Sequence, residues 1–72
     1  MIPSELDRRR LIRAFRRLGF SASREGGRHT VLMSVDRART VSIPRHSRIS
    51  RGTVLTELRR AGISDEEFVE AY

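Results

Sequence analysis

Apolar positions along the chain change period twice, from helical to alternating and back to helical. In the first stretch Leu11, Ala14, Phe15 and Leu18 fall on one helical stripe, which predicts a helix from about Ser4 to Leu18. Ser4 followed by Asp7 reads as its capping box, with Asp in place of the usual Glu. Gly19 supplies a left-handed C-terminal cap, and Phe20 is placed for the accompanying apolar contact. Arg9, Arg13, Arg16 and Arg17 lie opposite the stripe, by default as a solvated face.

After Gly19 the period falls to two. Phe20 and Ala22 alternate with serines in a first short strand, and Glu25-Gly26-Gly27-Arg28 is a turn signal. His29 to Val35 reads as a second strand, with Val31, Met33 and Val35 in phase and Leu32 out of phase. A polar turn at Asp36-Arg37-Ala38-Arg39 leads to a third strand, Thr40-Val41-Ser42-Ile43. Pro44 ends it, because proline cannot donate to a ladder.

Helix returns near Ser50, where Val54, Leu55, Leu58 and Ala61 share a face and Gly62-Ile63 repeats the ending of the first helix. Ser64-Asp65-Glu66-Glu67 is a stronger capping box and opens a last short helix through Phe68 and Val69. The predicted class is α+β: helix, three-stranded antiparallel sheet, helix, with both longer helices on one sheet face and a short C-terminal helix. Each element has one apolar side to bury, so one layer of helices against one face is the economical solution. Without repeat, linker or low-complexity stretch, residues 1–72 are expected to form one domain.

Composition narrows the possible chemistry. The 72 residues include no cysteine, which excludes disulfides and thiolate metal sites. No apolar run is long enough to span a bilayer, and the start Met1-Ile2-Pro3-Ser4-Glu5 lacks the form of a signal peptide. A soluble cytoplasmic protein is the expectation. Basic side chains outnumber acidic ones 15 to 9, for a net charge of +6. Every basic residue is arginine, whose planar donor fork fits phosphate bidentately and stacks on bases. Coding bias can choose arginine over lysine, but it does not explain the excess charge. That excess points to a polyanionic partner, whether nucleic acid or acidic protein.

Several residues could carry such binding. Gly26 and Gly27 let a ligand approach the backbone closely, or simply serve a hairpin with positive φ. Alternation puts His29 beside Val31 and Met33 on the expected core side, so a histidine at the rim of the core stands beside a reactive one. His46 lies in the basic loop Arg45-His46-Ser47-Arg48, as an ordinary loop residue, a phosphate contact or a general acid. Arg51 and Thr53, at the start of the second long helix, suit an anion or simply cap the helix. Two histidines without clustered carboxylates make a poor metal site, and no metal or cofactor is expected.

The element order is that of double-stranded-RNA-binding domains, but particular residues point more narrowly. Leu18-Gly19-Phe20, Gly27-Arg28-His29, Val41-Ser42-Ile43-Pro44-Arg45-His46 and Ser50-Arg51-Gly52-Thr53-Val54-Leu55, followed by Leu58-Arg59-Arg60-Ala61-Gly62-Ile63-Ser64, resemble the HicA toxin pattern. The resemblance runs from about Glu5 to Phe68. It implies a type II toxin–antitoxin component that cleaves messenger RNA and is blocked by a HicB antitoxin. It also implies that His29 is the catalytic histidine, since the family's histidine follows a Gly-Ser pair at the start of the second strand. Arg28 stands where the family has serine. The candidate RNA-binding set is therefore Gly27, Arg28, Arg45, His46, Arg48, Arg51 and Thr53. The alternative function is a non-catalytic RNA-binding module of the same fold.

RNA supplies its own nucleophile, the 2′-hydroxyl beside the scissile phosphate. A protein catalyst then needs a base, donors for the developing phosphorane charge, and geometry. Histidine, ordinarily titrating near ~6.5, suits the base. Arginines and backbone N–H groups suit the phosphorane.

Overall fold

The computed structural model describes residues 1–25 and 27–72. In chain order the elements are β1 (Glu5–Asp7), α1 (Arg8–Arg17), β2 (Phe20–Glu25), β3 (His29–Ser34), β4 (Thr40–Pro44), β5 (Arg48–Ser50), α2 (Arg51–Ala61) and α3 (Asp65–Ala71). Strands β2, β3 and β4 form the expected three-stranded antiparallel sheet in that order. Its covered face meets α1 and α2 in one core, built from Leu11, Phe15, Phe20, Leu32, Val41, Ile43, Val54, Leu58 and Phe68 among others. Gly26, which the sequence puts in the β2–β3 turn, lies outside the described residues.

The N-terminal end differs from the sequence expectation. Glu5–Asp7 is a strand rather than the first turn of the helix, and it pairs antiparallel with β5 through Leu6 and Ile49. Both of these side chains are buried, so each three-residue strand adds one apolar residue to the core. The helix consequently begins at Arg8 with Asp7 as its N-cap, the Asp7 carboxylate accepting the Arg10 N–H at 3.0 Å. Ser4 is not part of a capping box. Instead its carbonyl accepts the Arg51 N–H at 3.0 Å and ties the N-terminus to the start of α2.

Other helix ends follow the sequence signals. Gly19 has φ +93°, and Gly62, at the end of α2, has φ +69°. The Ile63 N–H reaches back to Leu58 O at 2.9 Å, closing the left-handed C-terminal motif. Ser64 and Glu67 form the reciprocal capping box of α3. Phe15 packs edge-on against Phe20, with centroids 6.0 Å apart, and also meets Phe68.

The phase of β3 is opposite to the one that its apolar residues suggest. Thr30, Leu32 and Ser34 face the core, while His29, Val31 and Met33 lie on the other face and Val35 is exposed beyond the strand. Strand β4 sets this phase. Its buried Val41 and Ile43 pair with Leu32 and Thr30, and a pleated pair shares its face. The two inward hydroxyls have partners: Thr30 Oγ1 accepts from Arg8, and Ser34 Oγ donates to Asp36 and accepts from the Arg39 N–H. Ala22 pairs with the buried Leu32 and so shares its face, yet it is exposed, next to an irregularity in the β2–β3 register between Ala22 and Arg24.

Candidate active site

Reversing β3 changes what His29 can do. It is the first residue of the strand, exposed, on the sheet face away from the helices. The rim-of-core reading therefore fails, and the imidazole is open to solvent.

Around His29 the backbone brings two distant segments together. His29 pairs with Pro44, and just beyond the sheet the Arg45 N–H donates to Arg28 O at 3.0 Å. Arg28-His29 and Arg45-His46 therefore run side by side at one end of the sheet, and all four side chains are exposed. Gly27 leads into this corner, and a Cβ built on it would meet nothing within 4 Å. The open surroundings of Gly27 leave its backbone accessible.

Arg8 holds the corner from behind. As the first residue of α1, it donates from Nε to Pro44 O at 2.9 Å and from Nη2 to Thr30 Oγ1 at 2.5 Å, and its backbone N–H reaches Ser47 O at 3.0 Å. One residue thus joins the start of β3, the end of β4 and the 45–47 loop. That loop is pinned at both ends, by Arg28 on one side and Arg8 on the other. The sequence reading passed over Arg8 because it drew the helix from Ser4. Recognising Asp7 as the N-cap would have made Arg8 the first helical residue, at the junction.

The remaining candidates lie further along the chain and have other attachments. Arg48, in β5, comes within 4.0 Å of Glu5, both side chains being largely solvent-exposed. Such a pair contributes little. Arg51 donates from Nη1 to Ile2 O at 3.0 Å and so braces the N-terminal segment. The Thr53 N–H donates to Ser50 Oγ at 3.3 Å, and the two hydroxyls are 3.0 Å apart. At Arg51 and Thr53 the structure displays bracing and capping. Among the described residues no group of three or more His, Asp or Glu side chains could hold a metal ion.

The frame is thus a small basic α+β fold with an exposed histidine set among arginines at a sheet end. The family model for the HicA toxin of bacterial toxin–antitoxin systems matches residues 8–63. The chain belongs to the HicA toxin family. Among curated proteins, the search found no match. No helix among the described residues is long and apolar enough to cross a membrane.

Proposed function

We propose that this toxin is a metal-independent endoribonuclease that cleaves messenger RNA with His29 as general base. The observation that carries the proposal is the exposure of His29 beside Arg28 and the pinned Arg45-His46 loop. In the proposed reaction His29 takes the 2′-hydroxyl proton as that oxygen attacks the adjacent phosphorus. The phosphorane collapses with loss of the 5′-oxygen, which takes a proton from His46 or water. The products are a 2′,3′-cyclic phosphate and a 5′-hydroxyl end. Arg28 and Arg45 carry the developing negative charge, and Gly27 lets the strand lie close to the backbone.

The substrate reading rests on family membership and on the arginine excess, which suits phosphate contacts over base stacking. The natural partner is a HicB-like antitoxin whose acidic surface covers His29 and meets Arg28, Arg45 and Arg48. Residues 1–72 work as one HicA-like unit in the cytoplasm, where messenger RNA is. One specific feature favours the alternative, a binding module without catalysis: Arg28 takes the place of the family's serine.

The test is RNA cleavage by wild type and His29→Ala, with circular dichroism and RNA affinity measured alongside. A positioned base contributes about 10²–10⁴ in rate, so the variant should lose at least about 100-fold while folding and binding normally. A folded His29→Ala protein that cleaves at the wild-type rate removes His29 from the mechanism. Wild type that binds RNA and never cleaves it establishes the binding-module alternative.

A further inference from the structure

Six arginines lie on α1, and the structure divides them into two groups. Arg8 clamps the sheet end, Arg10 donates from Nε to Tyr72 O at 2.8 Å and lies 4.2 Å over the Tyr72 ring, and Arg17 donates from Nη1 to Ala71 O at 2.7 Å. These three serve the fold. Arg9, Arg13 and Arg16 are exposed, and no hydrogen bond or ion pair of their side chains occurs among the described residues. At 100° per residue they fall within one narrow arc, opposite the buried Leu11 and Ala14.

This row differs from an ordinary solvated helix face. Such faces interleave acidic and basic residues, whereas α1 has no acidic residue at all. Arg9 and Arg13 are four apart and Arg13 and Arg16 three apart, so like charges meet at the spacings where opposite charges would stabilise the helix. The row lines a shallow groove with Ile12 and Asp7, whose carboxylate is engaged in capping. It starts next to Arg8, which fixes α1 to the His29 corner, and runs about 10 Å along the helix.

We infer that Arg9, Arg13 and Arg16 form a phosphate-binding exosite that holds the RNA strand flanking the cleavage site. The inference rests on the ribonuclease reading above, and it adds a second point of attachment remote from the chemistry. RNA is favoured because a polyanion with regularly repeated charge matches a cationic row that shows no apolar anchor beyond Ile12. Counterion release from such contacts supplies affinity without reading sequence.

The experiment uses the triple variant Arg9→Gln, Arg13→Gln, Arg16→Gln, with Arg37→Gln, Arg59→Gln as a control that removes exposed charge elsewhere. Affinity for a single-stranded RNA oligonucleotide is measured against salt in a His29→Ala background, so that binding is read whether or not the protein cleaves. The slope of log K against log salt should become shallower by about 2 in the triple variant, since each lost phosphate contact on a single strand is worth about 0.7. The control should leave the slope almost unchanged. In the cleaving protein, kcat/KM on the long RNA should fall about tenfold or more with kcat retained, while a dinucleoside monophosphate, too short to reach α1, is cleaved as before.

An unchanged slope overturns the exosite, as does an equal loss per charge in the control. So does weakened antitoxin binding with RNA binding intact, which would assign the row to the protein partner. Absence of cleavage by wild type would defeat the ribonuclease reading alone, because the binding arm decides the exosite separately.

Discussion

The Glu57 carboxylate accepts the backbone N–H of Ser42 at 2.7 Å, from helix α2 to the outer edge of β4. Glu57 is buried, with 8% of its surface exposed, and its second oxygen meets Arg60 Nη1 at 3.3 Å. The next outward position along that edge is Pro44, which has no N–H to offer. A free strand edge invites pairing with another chain, and here Glu57 on the Ser42 N–H, the proline, and Arg8 on the Pro44 carbonyl occupy this edge from Ser42 to Pro44.

Glu57→Ala should therefore destabilise the fold by about 1 kcal/mol, the low end of the range for an unsatisfied donor, because the half-buried Ser42 N–H loses its acceptor. For a chain of this size that is roughly 4–8 °C of Tm per kcal/mol. Glu57→Gln keeps an acceptor oxygen and should lose less. Thermal unfolding of the two variants checks both the magnitude and the order. If Ala and Gln are equally mild, the contact does not hold the edge.

The two faces of β3 give a second comparison. Leu32 is fully buried, and its neighbour Val31 lies on the open face. Leu32→Ala should cost about 2–5 kcal/mol, whereas Val31→Thr should stay within about 1 kcal/mol. Urea denaturation separates the outcomes readily. Comparable losses at both positions would mean that the open face is covered in the native protein.

The same strand shows where the sequence was legible and where it misled. The helical stripes, the three strands and the Gly62 and Ser64 signals are local patterns, and each appears where expected. The β3 phase is not local. Val31, Met33 and Val35 outvote Leu32 on hydrophobicity, but pairing with the cleaner alternation of β4 decides the matter. Inward Thr30 and Ser34 are tolerated because Arg8 and the Asp36 turn satisfy them. Strand β1 is too short to leave a period, and its partner is more than 40 residues away in the chain. His29 was found through a family motif, while its exposure and its neighbours needed the fold.

Acid sensitivity offers a third test. Glu67 is held below the ordinary glutamate value, first by the Ser64 backbone N–H and then by the Ser64 hydroxyl. Asp36 is held below the ordinary aspartate value, chiefly by the Ser34 hydroxyl and next by the Ala38 N–H. A carboxyl lowered on folding contributes stability above its unfolded pKa and loses it as pH falls through the folded one. Stability should thus decline as pH falls through and below the ordinary carboxylate range, with Glu67→Gln, Asp36→Asn flattening part of that decline. Urea midpoints across the window measure it, and an unaltered slope in the double variant would show that other carboxylates govern the acid limb.

Arg8 provides the last prediction. Its guanidinium holds Pro44 O and Thr30 Oγ1, and its backbone N–H holds Ser47 O. Substitution removes the first two bonds and leaves the third, so the 45–47 loop keeps one anchor. Each lost bond from a charged donor is worth about 1.5–3 kcal/mol. Arg8→Ala should therefore be measurably less stable. If Arg8 also positions His29, the surviving folded protein should show lower kcat on a dinucleoside monophosphate with little change in KM, because no substrate contact is lost. Arg8→Lys can keep one of the two bonds and should recover part of the rate. A purely structural role would instead lower the amount of folded enzyme and leave kcat per folded molecule unchanged. Active-site titration against a tight-binding antitoxin gives that folded fraction, and normal turnover per titrated site would restrict Arg8 to stability.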